Sequence, residues 1–380
     1  MSVNRIWPSE LSTYEDSESG SVVRQLTQYR AHSHHFYFTN SGWHDDEKRL
    51  LVSSDRDNST NLYSIDLTTG ELRQLTDLAP LPLPREVEFL RACTNPTREE
   101  AYFWYGLDLV AIDLTTAKQR VLYKMDEGWD VSMINCSADG HHVYASISED
   151  VSDRFRVDYL RGYVGFRETW EANPLSRIVK AATDGSGGAF IFEEQYWIGH
   201  VNTSPTNSDI LTFCHEGPWD CVDNRIWGLG VSTGKVWKIR APENGETVGH
   251  EYWHADGERV GYHGQRSDGS AYLGHCRFDD TDHIENHFPG KTGHIHSNDP
   301  SIIVGDGGKV VRLWQWDGEA YRYPRLLCRH DSSAKIQQVH VHPRFNADGT
   351  QVVFTSDVTG YGNVYLADIP DFDKLPLIDE

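Results

Sequence analysis

The phrase "TNLYSIDLTTGELRQLTD" at residues 60–77 alternates apolar and polar residues, turns at Thr-Gly and alternates again. That is the pattern of a β-hairpin. It returns as "LDLVAIDLTTAKQRVLYK" at 107–124 and as "NRIWGLGVSTGKVWKI" at 224–239. Another strand often precedes the hairpin, introduced by an acidic or Asp-Gly turn: "DDEKRLLVSSDRD" from 45, "ADGHHVYASISED" from 138, "ADGERVGYHGQ" from 255 and "ADGTQVVFTSD" from 347. Strand plus hairpin recurs about seven times at a spacing of roughly 40 to 50 residues, the length of a four-stranded propeller blade. A unit this small cannot bury its own faces and must stack on copies of itself. The expectation is an all-β, seven-bladed β-propeller formed as a single domain over residues 1–380. The stretch around 147–177, "ISEDVSDRFRVDYLRGYVGFRETWEANPLSR", interrupts the third unit and reads as an insertion carrying a short helix or a loop over one face.

Composition agrees with sheets and removes several function classes. Twelve Trp, 18 Tyr and 14 Phe stand against three Met, which suits pleated surfaces more than helical bundles. No 3.6-residue apolar pattern persists, and neither GxxxxGK[ST] nor a strand-linked GxGxxG occurs, so phosphate-cradling folds are excluded. With 57 acidic and 35 basic residues the formal charge is −22, which repels nucleic acid and anionic membranes. The first residues carry no apolar signal-like run, and no stretch of about 18 apolar residues appears, so a cytoplasmic protein is expected. The six cysteines lack CxxC spacing and read as free thiols filling core positions.

Histidines supply the chemical signal. His250 lies six residues before one Asp-Gly turn and His342 six before another, so both hold the same blade position. His294 and His296 precede a further turn, and "KIQQVHVHPRF" at 335–345 reads as a strand with His340 and His342 on one face. In a propeller the strands that open each blade line a central channel. Several imidazoles arriving at its mouth from successive blades make a site for a first-row divalent metal. Gln337 or Gln338 could add an oxygen. Elsewhere, His32 and His34 share a strand face, and Arg56 sits between two aspartates. No nucleophile elbow is present.

Taken together, "IWPSE", "HSHHFYFTN", "FCHEGPWD", "NRIW", "HEYW", "SNDPSIIVGDG", "QQVHVHP" and "VVFTSDVTGYGNVYLADIP" resemble the oligogalacturonate lyases of bacterial pectin degradation, from residue 6 to about 369. The resemblance implies a seven-bladed propeller. It also implies a divalent metal, manganese, held by His294, His340, His342 and Gln337. His250 in "HEYW" would be the general base, and Arg225 in "NRIW" would act on the substrate. Strand parity favours Gln338 over Gln337, so the implied ligand needs a bend or bulge before His340. Trp219 in "GPWD" and His296 depart from the family pattern.

The implied reaction is β-elimination on short oligogalacturonides, small anionic oligosaccharides, with release of 4-deoxy-5-keto-uronate. No protein partner is implied. Arg56, His32, His34 and Trp219 are the candidate substrate contacts. A propeller lyase for another uronide, or a non-catalytic propeller binding module, shares the repeat and forms the alternative.

Overall fold

The computed structural model describes residues 3–83, 85–243, 245–288, 290 and 292–378. The strands of these residues form seven antiparallel sheets of at least four strands, taken up in chain order, and the fold is a seven-bladed β-propeller. The repeated phrases fall where expected. Residues 60–77 hold the strands Asn61–Asp66 and Leu72–Gln74, residues 107–124 hold Asp108–Asp113 and Gln119–Lys124, and residues 224–239 hold Ile226–Gly230 and Val236–Ile239.

By contacts the chain divides into two compact units. Residues 1–81, 87–90 and 286–380 hold blades one, six and seven, and residues 82–86 and 91–285 hold blades two to five. Within the first unit, blade seven takes strands from both ends of the chain, in the order Ser12–Glu15, Val22–Gln25, Asn363–Asp368, Gln351–Ser356, Arg344–Phe345. Val23 pairs with Ala367 and Gln25 with Tyr365. The same unit packs Leu50 and Val52 of blade one against Val353, Val364 and Leu366 of blade seven. In the second unit, Tyr102 and Ala111 of blade two meet Val143 and Val179 of blade three. Fully burying each such aliphatic side chain is worth about 1.5–3 kcal/mol.

The segment 147–177 leaves the strand His142–Glu149, runs as a loop into the helix Phe166–Ala172, and returns in Leu175–Ala182. These two strands, the inner pair of their four-stranded sheet, still pair in full register, Ser148 opposite Ser176 and His142 opposite Ala182.

The hairpin turns repeat in atomic detail. Asp66 Oδ1 accepts the N–H groups of Thr68 and Thr69, and Asp113 Oδ1 accepts those of Thr115 and Thr116. Four residues after each aspartate the backbone is left-handed, at Gly70 with φ +75° and at Ala117 with φ +60°. Glycine takes this conformation freely, while alanine pays about 1–2 kcal/mol for it. Ala117→Gly is therefore expected to raise the urea unfolding midpoint, a gain of about 0.5–1 kcal/mol once the extra freedom of glycine in the unfolded chain is subtracted. An unchanged or lower midpoint would contradict this reading of the turn.

Candidate active site

Two groups of polar residues stand out, one in each unit. In the first unit the ligand-capable nitrogens of His294, His340 and His342 all lie within 4.8 Å of one another. The ring centroids of His294 and His342 are 4.3 Å apart, those of His294 and His340 5.7 Å, and those of His340 and His342 5.6 Å. Tyr37 stands edge-on to both His294 and His342, and Phe38 packs on His294.

The route by which 335–345 delivers its histidines differs from the expected strand. Gln337–Val339 is a turn of 3-10 helix, only Arg344–Phe345 is strand, and His342 has φ +45°. Alternation of His-x-His looks the same at period two whether or not the chain is extended, so the turn is invisible in the pattern. Its consequence concerns the glutamine. With no strand at 337–339 the alternation that favoured Gln338 over Gln337 does not apply, and His340, with φ −63° and ψ 145°, lies beyond the turn in extended backbone. Gln338 Oε1 is nonetheless buried without a hydrogen-bond partner.

The first group fits a divalent cation. His294 Nδ1 is 2.9 Å from Asp306 Oδ2, and the backbone N–H groups of Gly293 and His294 donate to Asp306 Oδ1. This fixes the ring through Nδ1, as in the usual carboxylate–histidine–metal arrangement. Burial would raise the Asp306 carboxyl, but the His294 ring and its N–H hold it below the usual range. Burial, helped by His294, pushes His340 down to about 4 and His342 well below its ordinary value, so both rings are neutral and able to coordinate. His342 Nε2 is buried with no hydrogen-bond partner, a cost that a metal ion would remove.

The second group is built on a bulge. In blade five Gly249 pairs with His263 and Tyr252 with Gly261, so His250 and Glu251 together face one residue, Tyr262. His250 is left-handed, with φ +50°. Blade four has the same device: Ile198 pairs with His215 and Val201 with Phe213, which puts Gly199 and His200 opposite Cys214. Bulges re-aim side chains out of the ordinary alternation. His250 Nδ1 lies 2.8 Å from His263 Nε2, and Trp219 stands edge-on to both rings. The blade register grouped His250 with the other three histidines, but its ring partner is His263.

Arg225 is buried between two carboxylates, with Nη1 2.5 Å from Glu216 Oε1 and Nε 3.4 Å from Glu251 Oε2. His200 reaches the same two acids at 3.7 and 3.9 Å. Its backbone N–H donates to Cys214 Sγ. His263, Glu216, Glu251 and His200 were missed in the sequence, although "HEGPWD" and "HEYW" each show an acid beside a singled-out residue.

The remaining expected contacts divide. Arg56 is 1% exposed, forms an ion pair with Glu10 at 2.9 Å, and sits 5.0–5.1 Å from the ring centroids of Trp7, Tyr29 and Tyr63. Its charge is spent inside the fold, and it pairs with neither flanking aspartate. His34 is buried against the His35 carbonyl. His32 is half-buried and its Nδ1 accepts the Gly362 N–H. His296 is buried and receives the Phe345 N–H. All six cysteines are free, and five are buried. Among the described residues no helix is long and apolar enough to cross a membrane.

The sequence profile of the oligogalacturonate lyases matches residues 1–373. The chain belongs to the oligogalacturonate lyase family. It is 26% identical over 392 aligned residues to the oligogalacturonide lyase of Pectobacterium atrosepticum, covering 96% of this chain and 97% of that protein. The oligogalacturonate lyase of Dickeya dadantii is 27% identical, with 94% and 96% covered. A solved oligogalacturonate lyase in complex with manganese superposes with a TM-score of 0.88 at 25% identity, over 98% of this chain and 99% of the other. Membership gives the activity class, a lyase of oligogalacturonides, and sets aside the binding-module alternative.

The buried histidines around the first group make stability sensitive to acid. Burial holds His35 down to about 3 and His330 down to about 4, so the folded chain keeps both neutral well below neutral pH. The unfolded chain protonates each near pH 6.5. Below that point the unfolded state binds more protons, so stability is lost as pH falls through the window between the two values. The unfolding free energy is expected to fall between about pH 6.5 and pH 4 by several kcal/mol in total, with a matching drop in the urea midpoint. A midpoint flat across that window would show that these rings are not neutral in the fold.

Proposed function

We propose that this chain cleaves short oligogalacturonides by metal-dependent β-elimination, with manganese held by His294, His340, His342 and Gln337 and with His250 as the base. The trio of imidazoles, two of them buried, with Nε2 of His342 left without a partner, carries the reading. The likeness to a family member solved with manganese supports the choice of metal, and the 3-10 turn removes the strand alternation that spoke against Gln337 as the fourth ligand.

The proton at C5 of a uronate lies α to the carboxylate and is very weakly acidic, so the barrier is the growth of negative charge on that carboxylate. When bound, a divalent metal supplies Lewis-acid stabilisation of this charge. His250 takes the proton at a ring nitrogen as the C5–H bond breaks. The electron pair left at C5 forms the C4–C5 double bond while the C4–O bond breaks, and the departing oxygen is protonated by water. The unsaturated product opens to the 4-deoxy-5-keto form.

Arg225 is assigned to the substrate carboxylate. Glu216 and Glu251 cancel its field at long range, so its contribution is a directed hydrogen bond from a fixed guanidinium rather than steering. Of the other contact candidates, His32 and Trp219 keep partial exposure and remain in the proposal, while His34 and Arg56 do not.

The test is digalacturonate incubated with the protein before chelation, after chelation and after Mn²⁺ is restored, with products read by mass spectrometry. Galacturonate and its 4-deoxy-5-keto partner are expected, lost on chelation and regained with the metal. Absence of product from metal-restored protein would overturn the substrate. His250→Ala is expected to keep Mn²⁺ affinity while kcat falls about 10²–10⁴-fold, and retained activity would remove it as the base. Gln337→Ala is expected to weaken Mn²⁺ binding in calorimetry more than Gln338→Ala does, and the opposite order would transfer the ligand role.

A further inference from the structure

The contact between His250 and His263 constrains which nitrogen of His250 can act. An imidazole–imidazole hydrogen bond needs one donor and one acceptor, and a neutral ring carries its proton on one nitrogen only. If His263 Nε2–H donated, the His250 lone pair at Nδ1 would be consumed by that bond and Nε2 would carry the proton. The ring would then have no lone pair to offer. If His250 Nδ1–H donates instead, the lone pair stands on Nε2 and the ring is a base.

We propose that His263 is the positioning residue of the base: its Nε2 accepts the Nδ1–H of His250, fixing the tautomer that leaves Nε2 of His250 as proton acceptor. The inference rests on the reading of His250 as the base.

Three observations support it. Nδ1 and Nε2 are 2.8 Å apart while the ring centroids are 5.0 Å apart and the planes within 26° of parallel, so the two nitrogens lie near the line joining the rings and the bond lies close to the plane of both, where imidazole N–H groups donate best. The bulge that gives His250 its positive φ also places it across from the strand bearing His263, so the backbone holds a strained conformation at the point where the contact forms. Trp219 stands edge-on to both rings, and its ring atoms lie so close to Gly249 that a β-carbon there would meet Trp219 Cζ2 at 2.4 Å. The indole thus closes one side of the pair and limits competition from water for the shared proton.

The pairing also acts as the reaction proceeds. When His250 Nε2 gains the C5 proton, the ring becomes cationic and its Nδ1–H a stronger donor, so the bond to His263 tightens as charge develops. His263 gains no proton in this step and touches no reacting atom.

Kinetics use the full-length protein loaded with manganese, and the spectra use it loaded with diamagnetic Zn²⁺, because paramagnetic Mn²⁺ broadens the signals of rings near it. In histidine-¹⁵N-labelled wild-type enzyme, long-range ¹H–¹⁵N correlation spectra report the tautomer, with His250 assigned by loss of its signals in His250→Ala. The expected result is an Nδ1–H tautomer for His250, and an Nε2–H tautomer overturns the proposal. In kinetics, His263→Leu is expected to lower kcat about a hundredfold with KM and Mn²⁺ content little changed, the scale of a misoriented catalytic group. His263→Gln, whose amide oxygen can accept in place of Nε2, is expected to recover most of that loss. A His263→Leu enzyme with wild-type kcat, or a glutamine variant no better than leucine, overturns it. His250→Ala is assayed alongside. If that variant stays active, the base assignment fails. If it is inactive while His263→Leu is fully active, only the positioning role fails.

Discussion

The strand Arg49–Ser54 is buried on both faces, with Leu50, Leu51 and Val52 all inaccessible to solvent, and that double burial governs the rest of the architecture. A sheet apolar on both sides needs a cover on each, and the only partners the chain offers are further copies of the same motif. Seven blades solve the problem, and one of them has to be assembled from both ends of the chain, as the pairing of Val22–Gln25 with Asn363–Asp368 shows. Once the blades are fixed by apolar contacts, the strand that opens each blade can carry polar residues at little cost to the fold. His200 and His250, on the bulged opening strands of blades four and five, show that freedom in use.

The charge of the site has to be reconciled with that of the molecule. A chain of formal charge −22 acts on an anionic substrate. Arg225 does not resolve the conflict, because Glu216 and Glu251 already balance it. The imidazoles of His340 and His342 do not either, since burial keeps them neutral. In the proposed site, a divalent cation on the trio supplies the positive charge that neither Arg225 nor the neutral imidazoles provide. The same neutrality that makes these rings useless as cations makes them good ligands.

The legible parts of the sequence were those set by local rules. Hairpins were visible because apolar alternation runs on either side of a short Thr-containing turn, and the turn chemistry is carried by the residues themselves. His342 was visible because its spacing from an Asp-Gly turn repeats that of His250, His340 because it lies two residues before His342, and His294 because it precedes a further turn. What stayed hidden depends on backbone that leaves the repeat. The 3-10 turn at Gln337–Val339 and the positive φ of His342 replace an expected strand without changing a single periodicity. His263 sits alone in "VGYHGQ" with no partner in register, and only the bulge at His250 gives it a role. Arg56, read as a candidate substrate contact between two aspartates, is instead paired with Glu10, 46 residues away, a contact that no local pattern shows.

The central claim, that His294, His340 and His342 form the metal site, is tested most directly by anomalous scattering from crystals soaked in Mn²⁺ and measured on either side of the manganese edge. The account predicts an anomalous peak within bonding distance of all three imidazoles. A peak at His200, Cys214 and Glu251 instead, or density with no anomalous signal near the trio, would contradict it.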